Sequence, residues 1–125
     1  GLFCSKSYLA WRNPEQLRLQ DERLLWLDSQ YGDIPENLWL KASGLESAVL
    51  MRSSSIRSLH NAAVSGSGIA PLPVYSGVAA HLVEIPGPAL PARQPWLVFH
   101  RDTRSIKRLQ VVRDWVFDCC VSTFA

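Results

Sequence analysis

Short apolar runs alternate along this chain with apolar positions at helical spacing. Six segments have the length and polar flanks of buried strands. They are Leu2–Cys4, Arg23–Leu27, Ala48–Met51, Ile69–Ala70, Leu82–Ile85 and Trp96–Phe99. Strands that alternate with helices predict an α/β domain built on a parallel sheet.

Helix signals fill the segments between these strands. Ser5 can cap a helix over residues 7–11, and Pro14 can open a short helical turn. Further helices are predicted from Ile56 to the glycine at position 66, over residues 74–80, and after Ser105, while residues 37–41 fit either a helix or a strand. The proline-rich segment 86–95, which includes Pro88, predicts an irregular loop, because each proline removes a backbone donor.

The stretch from Met51 to Pro73 is the most informative part of the sequence. A strand ends in Ser53, Ser54 and Ser55, and a helix follows at once. The start of a helix offers free backbone N–H groups and a positive dipole end, and the serines add hydroxyl groups. This arrangement predicts a binding site for an anion, and simple capping of the helix is the alternative role for the same serines.

Other polar positions also follow predicted strands. Ligands of open α/β sheets bind beyond the carboxyl ends of the strands. Ser5, Ser53–Ser55 and the Pro73–Val74 step all follow such ends in the sequence. We therefore expect them to face one common crevice.

Length and charge restrict the class of protein. A chain of 125 residues fits one domain, and its net charge of +2 is too small to imply nucleic-acid binding by the overall field. Residues 1–50 hold 5 Lys and Arg against 7 Asp and Glu, whereas residues 51–125 hold 8 against 4. A basic face on the last helix is the simplest reason for this excess, with a DNA-contacting patch as the alternative.

The sequence contains no residue pattern that is typical of a catalytic site or a metal site. Cys4, Cys119 and Cys120 lack the CxxC spacing of a zinc site and are expected to be reduced thiols of a cytoplasmic protein. The three histidines, at positions 60, 81 and 100, share no metal-ligand spacing, and the serines lie in no GxSxG elbow. The sequence predicts no enzyme, no metal and no cofactor.

The Met51–Pro73 stretch also resembles the second lobe of the effector-binding domain of LysR-type transcriptional regulators. The matching positions are Leu59, Ala63, Val64, Gly66, Gly68, Ile69, Ala70, Leu72 and Pro73. Residues 96–102 resemble the return strand of that family and residues 111–116 its last helix. Residues 1–5, with Tyr8 and Leu9, are similar to its opening strand and helix, so that the resemblance covers nearly the whole chain.

The resemblance implies a single Rossmann-like lobe of the type 2 periplasmic-binding-protein fold, with a mostly parallel sheet flanked by helices. Residues 1–95 would form the second lobe and residues 96–125 the return strand and C-terminal helix. The N-terminal DNA-binding domain and most of the first lobe would lie outside this chain. Exposed apolar faces then predict self-association or domain exchange.

The resemblance also implies a function. A small anionic metabolite would bind between two lobes and regulate transcription, in a cytoplasmic homo-oligomer that contacts DNA only through the missing domain and contacts no membrane. The implied effector-binding residues are Ser53, Ser54, Ser55, Pro73, Val74, Phe99 and His100. Valine at position 74 cannot accept a hydrogen bond from an effector. A lobe of a related periplasmic solute-binding protein that serves transport is the alternative.

Overall fold

The computed structural model describes residues 1–87 and 89–124 of the chain. Pro88, in the predicted loop, and Ala125, at the end of the predicted C-terminal helix, lie outside the described residues. The chain divides into two compact units, residues 1–91 and residues 92–125.

The strands lie in the first unit and form two small sheets. The strands are β1 (Leu2–Cys4), β2 (Leu24–Leu27), β3 (Val49–Ser53), β4 (Ala70–Pro71) and β5 (Val83–Ile85). One sheet has the order β4-β1-β5, and the other pairs β2 with β3. A parallel bridge between Leu24 and Ile69 joins the two sheets. In this bridge the Leu25 N–H donates to the Ile69 carbonyl at 2.8 Å, and the Ile69 N–H donates to the Arg23 carbonyl at 2.9 Å.

The α/β class is confirmed, but the predicted mostly parallel sheet is wrong. β2 and β3 are parallel, whereas β1 is antiparallel to both β4 and β5. Because the Leu24–Ile69 bridge is parallel, β2, β3, β4 and β5 all point the same way and β1 points the other way. The connection from β4 to β5 skips one strand position, and β1 fills it in the reverse direction. Apolar periodicity reports burial and not strand direction, so the sequence pattern could not show this reversal.

Helices cover the remaining segments as predicted, with small shifts at their ends. They are α1 (Lys6–Leu9), α2 (Pro35–Ala42), α3 (Ile56–Val64) and α4 (Val74–Ala79) in the first unit, and α5 (Lys107–Phe124) in the second. The ambiguous residues 37–41 belong to α2. A proline in the first turn of α2 favours a helix at this position, because its fixed φ suits the start of a helix.

α3 shows how the sequence pattern produces a buried face. Leu59 and Ala63 lie four positions apart and are both fully buried, whereas most of their neighbours on the helix are exposed. The helix ends where Gly66 adopts a φ of +83°, and the Ser67 N–H then donates to the Ala62 carbonyl at 2.9 Å. Such an end favours glycine, since a side chain is strained in the left-handed region.

The core of the first unit is centred on β2. All four residues of β2 are buried, and because successive side chains point to opposite faces, both faces of this strand are covered. Trp26 is completely buried and stacks on Trp39 of α2, with ring centroids 5.8 Å apart and planes 13° apart. None of the helices in the described part of the chain combines the length and the hydropathy that crossing a membrane requires.

The predicted strand Trp96–Phe99 is wrong. These residues belong to no strand in the described chain, and no other strand lies in the second unit. A strand needs a neighbour for its backbone hydrogen bonds, and a local apolar run does not supply one. Leu97 and Phe99 instead contribute apolar side chains to a cleft beside α5.

Cys4 lies in the core on β1 and differs from the other two cysteines in its surroundings. Burial raises the pKa of the Cys4 thiol to about 11. Cys119 is exposed and Cys120 is partly buried, both on α5. Because the thiolate is the reactive form, we expect the native protein at pH 8 to react with an aromatic disulfide reagent at Cys119 and Cys120 only. Rapid reaction of Cys4 before unfolding would contradict the structure.

Candidate functional site

The carboxyl ends of β2, β3 and β4 meet at one edge of the joined sheets, which we call the carboxyl edge. The Asp28 N–H, just after β2, donates to the Ser53 carbonyl at the end of β3 at 3.0 Å. β4 lies on the other side of β2 and ends at Pro71, shortly before Pro73. Adjacent strands lie about 4.8 Å apart, so β3 and β4 end roughly 10 Å from each other. Ser53–Ser55 and Pro73–Val74 therefore share this edge, as predicted.

Two of the three serines have capping roles. The Ser55 hydroxyl accepts from the Ser58 N–H at 3.3 Å and is the N-cap of α3. The Ser53 hydroxyl accepts from the Ser55 N–H at 3.1 Å. The capping role weighed from the sequence is thus present at Ser53 and Ser55. These contacts hold the entry to α3 in a fixed conformation.

Capping leaves two donors of α3 without a partner in the described part of the chain. The first four N–H groups of a helix have no partner within the helix, and here Ser55 and Ser58 satisfy theirs through side chains. Within the described residues, the N–H groups of Ile56 and Arg57 and the hydroxyl of Ser54 have no hydrogen-bond partner. Arg57 is exposed and carries a positive charge in the first helical turn. Such a group of donors can bind an anion or a carboxylate.

The loop after β2 lies beside these donors. Its contribution to the site was not predicted from the sequence. The Tyr31 hydroxyl donates to the Ser54 carbonyl in a short hydrogen bond. Asn37 of α2 donates from Nδ2 to the Gly32 carbonyl at 3.1 Å and to the Asp28 carbonyl at 3.3 Å, which fixes the loop on both sides. The sequence held a signal for this contact. If β2 and β3 are parallel neighbours in the sheet, their carboxyl ends adjoin, and the residues after β2, which include Tyr31, lie beside the serines after β3.

The Pro73–Val74 step contributes an apolar surface to the carboxyl edge. Pro73 precedes α4 without making a side-chain cap, and the Val74 side chain is half exposed. Neither side chain can donate or accept a hydrogen bond. This part of the edge suits the apolar portion of a ligand, whereas the start of α3 suits a charged group.

Ser5 does not share this edge, and its predicted place in the common crevice is wrong. β1 runs antiparallel to β4 and β5, so its carboxyl end lies at the opposite edge of the sheet. The Ser5 hydroxyl accepts from the Tyr8 N–H at 3.1 Å and lies 2.8 Å from the Ser7 hydroxyl. Ser5 is thus the N-cap of α1, as predicted, and the reversed direction of β1 separates it from the other serines.

A buried carboxylate near the start of β2 is structural. Glu22 accepts from the Tyr8 hydroxyl at 2.6 Å and from Arg12 Nη1 at 2.7 Å. The hydrogen bond to Glu22 raises the pKa of Arg12. Since both Glu22 oxygens have donors, the cost of burying this charge is compensated and no proton-transfer role is indicated.

Phe99 and His100 belong to the second unit, where both have local partners. The Arg113 guanidinium lies over the Phe99 ring, 5.9 Å from its centroid. His100 Nδ1 accepts from the Asp102 N–H at 3.3 Å and caps the turn Arg101–Thr103. Their predicted contact with an effector stays a prediction. Within the described residues no three His, Cys, Asp or Glu side chains come together as a metal site.

Comparison with known families identifies the kind of domain to which the carboxyl edge belongs. Residues 1–119 match the family model of the LysR substrate binding domain. The chain belongs to this family. No curated protein and no solved structure matches it.

Membership in the LysR substrate binding domain family confirms the resemblance drawn from residues 51–73 and decides against the solute-binding alternative. Domains of this family bind a small-molecule effector, have the α/β fold of periplasmic-binding proteins and are regulatory rather than catalytic. The chain is accordingly an effector-binding domain of the kind that LysR-type regulators use in transcription regulation.

Proposed function

We propose that this chain senses a small anionic metabolite at the carboxyl edge, as part of a LysR-type regulator. The observation that carries the proposal is the start of α3. Ile56 and Arg57 present two backbone N–H groups without partners in the described chain, next to the free Ser54 hydroxyl. A carboxylate placed there gains charge-assisted hydrogen bonds and the favourable end of the helix dipole.

Each predicted site residue of the first unit has a role in this proposal. Ser54 binds the anion through its hydroxyl, whereas Ser53 and Ser55 keep the α3 donors in position through their own hydrogen bonds. Pro73 and Val74 contact the apolar part of the effector. Phe99 and His100 belong to the second unit, and their contact with an effector stays what the family resemblance implies. The effector then shifts the regulator between two states by binding one of them more tightly.

The cellular setting is proposed from the family and from the surface of the chain. We place the regulator in the cytoplasm, with its DNA contacts made outside the residues of this chain. α5 exposes apolar side chains that a partner can cover. They are Val111, Val112, Trp115, Phe117 and Val121. We expect self-association, seen as a rising weight-average mass in sedimentation between 5 and about 500 µM, as exposed apolar patches usually find partners. A constant monomer mass would contradict this part.

A thermal-shift screen tests the proposed effector site. Small carboxylates and amino acids are added to the wild-type chain and to the triple variant S53A/S54A/S55A. We expect at least one compound to raise the midpoint of the wild type and to leave the triple variant unchanged, because ligand binding stabilises the native state by mass action.

The matched control for this screen is Ser5→Ala. Ser5 is also a helix N-cap, but it lies at the opposite edge of the sheet. Its removal is expected to lower the midpoint without ligand, at a cost of about 1 kcal/mol, and to leave the ligand-induced shift intact. A compound that still stabilises the triple variant as strongly as the wild type would show that the serines do not form the site.

A further inference from the structure

The second unit contains a cleft of about 190 Å³ beside α5. Residues 97–99, the turn Arg101–Thr103 and the first half of α5 surround it. Its lining residues are Leu97, Phe99, Thr103, Arg104, Leu109, Gln110, Val112, Arg113 and Val116. All of them lie within residues 92–124, so the cleft belongs to the second unit alone.

Most of the cleft wall is hydrocarbon. Leu97 and Phe99 form one side, and Leu109, Val112 and Val116 form the other at helical spacing along α5. An apolar wall offers water few hydrogen-bond partners, and hydrocarbon placed against it is removed from water. The wall therefore favours an apolar group.

Two arginines place positive charge at this apolar cleft. Arg113 is fixed, since its guanidinium lies over the Phe99 ring and its Nε donates to Asp114 at 2.7 Å. The Arg104 carbonyl accepts from Gln110 Nε2 at 2.6 Å, which ties its backbone to α5. The Arg104 guanidinium has no acidic partner within the described residues.

The surrounding sequence reinforces this charge. Residues 101–114 contain five Arg and Lys against two acidic residues, Asp102 and Asp114, and Asp114 pairs with Arg113. Asp102 lies beside His100, with 3.4 Å between its carboxylate and Nδ1. The field at the cleft therefore favours an anion, and the wall beneath favours hydrocarbon.

We propose that this cleft binds an amphipathic carboxylate, with its hydrocarbon part between Phe99 and α5 and its carboxylate on Arg104. All of its lining residues belong to the second unit. It gives the basic segment 101–113 a function in ligand binding rather than in DNA contact.

Calorimetric titration with octanoate tests the proposal, using Arg104→Met and the matched control Arg108→Met. Both changes remove one exposed cation from the same segment, but only Arg104 lines the cleft. We expect Arg104→Met to weaken octanoate binding about tenfold, the effect of losing one charge-assisted hydrogen bond, and Arg108→Met to leave it nearly unchanged. Equal losses of octanoate affinity in the two variants would show only general charge attraction and would contradict a binding site at Arg104.

A second pair of variants tests the hydrocarbon wall. Val116→Phe fills the cleft, whereas Val111→Phe adds the same ring at an exposed position of α5 outside it. Only Val116→Phe is expected to abolish octanoate binding while far-ultraviolet circular dichroism stays that of the wild type. Butyrate binding as tightly as octanoate would contradict an apolar cleft.

The serine variant S53A/S54A/S55A separates this inference from the proposed function. If it binds octanoate with wild-type affinity, the cleft is independent of the effector site. If it loses octanoate binding, octanoate occupies the carboxyl edge and the cleft proposal fails.

Discussion

Replacing Trp26 with alanine is expected to lower the free energy of unfolding by about 3–5 kcal/mol, the usual cost of removing a large aromatic side chain from a core. Trp26 is completely buried on the central strand and stacks on Trp39. Its indole N–H has no hydrogen-bond partner within the described residues, so the loss comes from packing. Urea denaturation followed by circular dichroism gives the value.

Trp11→Ala is the matched control for this change. Trp11 is fully exposed at the end of α1, and removing it should change the free energy of unfolding by no more than about 0.5 kcal/mol. If Trp26→Ala and Trp11→Ala lowered the free energy of unfolding by comparable amounts, the core would not be centred on β2.

Replacing Gly68 with alanine is expected to have the second largest effect. We expect Gly68→Ala to lower the free energy of unfolding by about 2–3 kcal/mol through overpacking. A Cβ at Gly68 would collide with the carbonyl oxygen of Arg23 and lie 3.1 Å from Leu25 Cγ. That same carbonyl accepts the Ile69 N–H in the bridge that joins the two sheets. The substitution thus forces apart the strands whose ends form the carboxyl edge.

Gly87→Ala controls for the general effect of replacing a glycine. A Cβ at Gly87 would have no atom of the described residues within 4 Å, apart from its neighbours in the chain. The free energy of unfolding of Gly87→Ala should therefore stay within about 0.5 kcal/mol of the wild type. If Gly68→Ala were as stable as Gly87→Ala, the close approach of residue 68 to Arg23 would be wrong.

Local features of the fold were predictable from the sequence. The pattern of Ile56, Leu59 and Ala63, followed by Gly66, predicted the position of α3, because a helix is specified largely by its own residues. Leu59 and Ala63 form its buried face as expected, whereas Ile56 is exposed. The proposed site at its start rests on the same reasoning, since helix entry and serine hydroxyls are also local, and it stays a prediction. The family resemblance rested on this stretch and is confirmed.

Features that depend on distant residues were not predictable. The direction of β1 is set by its neighbours β4 and β5, which lie more than sixty positions away in the sequence. This reversal removed Ser5 from the predicted crevice. The run Trp96–Phe99 has the composition of a strand but no neighbouring strand in the described chain. Tyr31 reaches the carboxyl edge from the loop after β2, through its hydrogen bond to Ser54.

The most direct test of the central claim is a nitrogen-15 NMR titration of this chain with the small carboxylates and amino acids of the thermal-shift screen. The account predicts that a binding compound shifts the amide resonances of Ile56 and Arg57 first, because these N–H groups are the proposed donors. The resonances of Lys6 and Ser7, at the opposite edge, should stay in place. Shifts confined to the opposite edge, or no compound that shifts Ile56 and Arg57, would contradict an effector site at the start of α3.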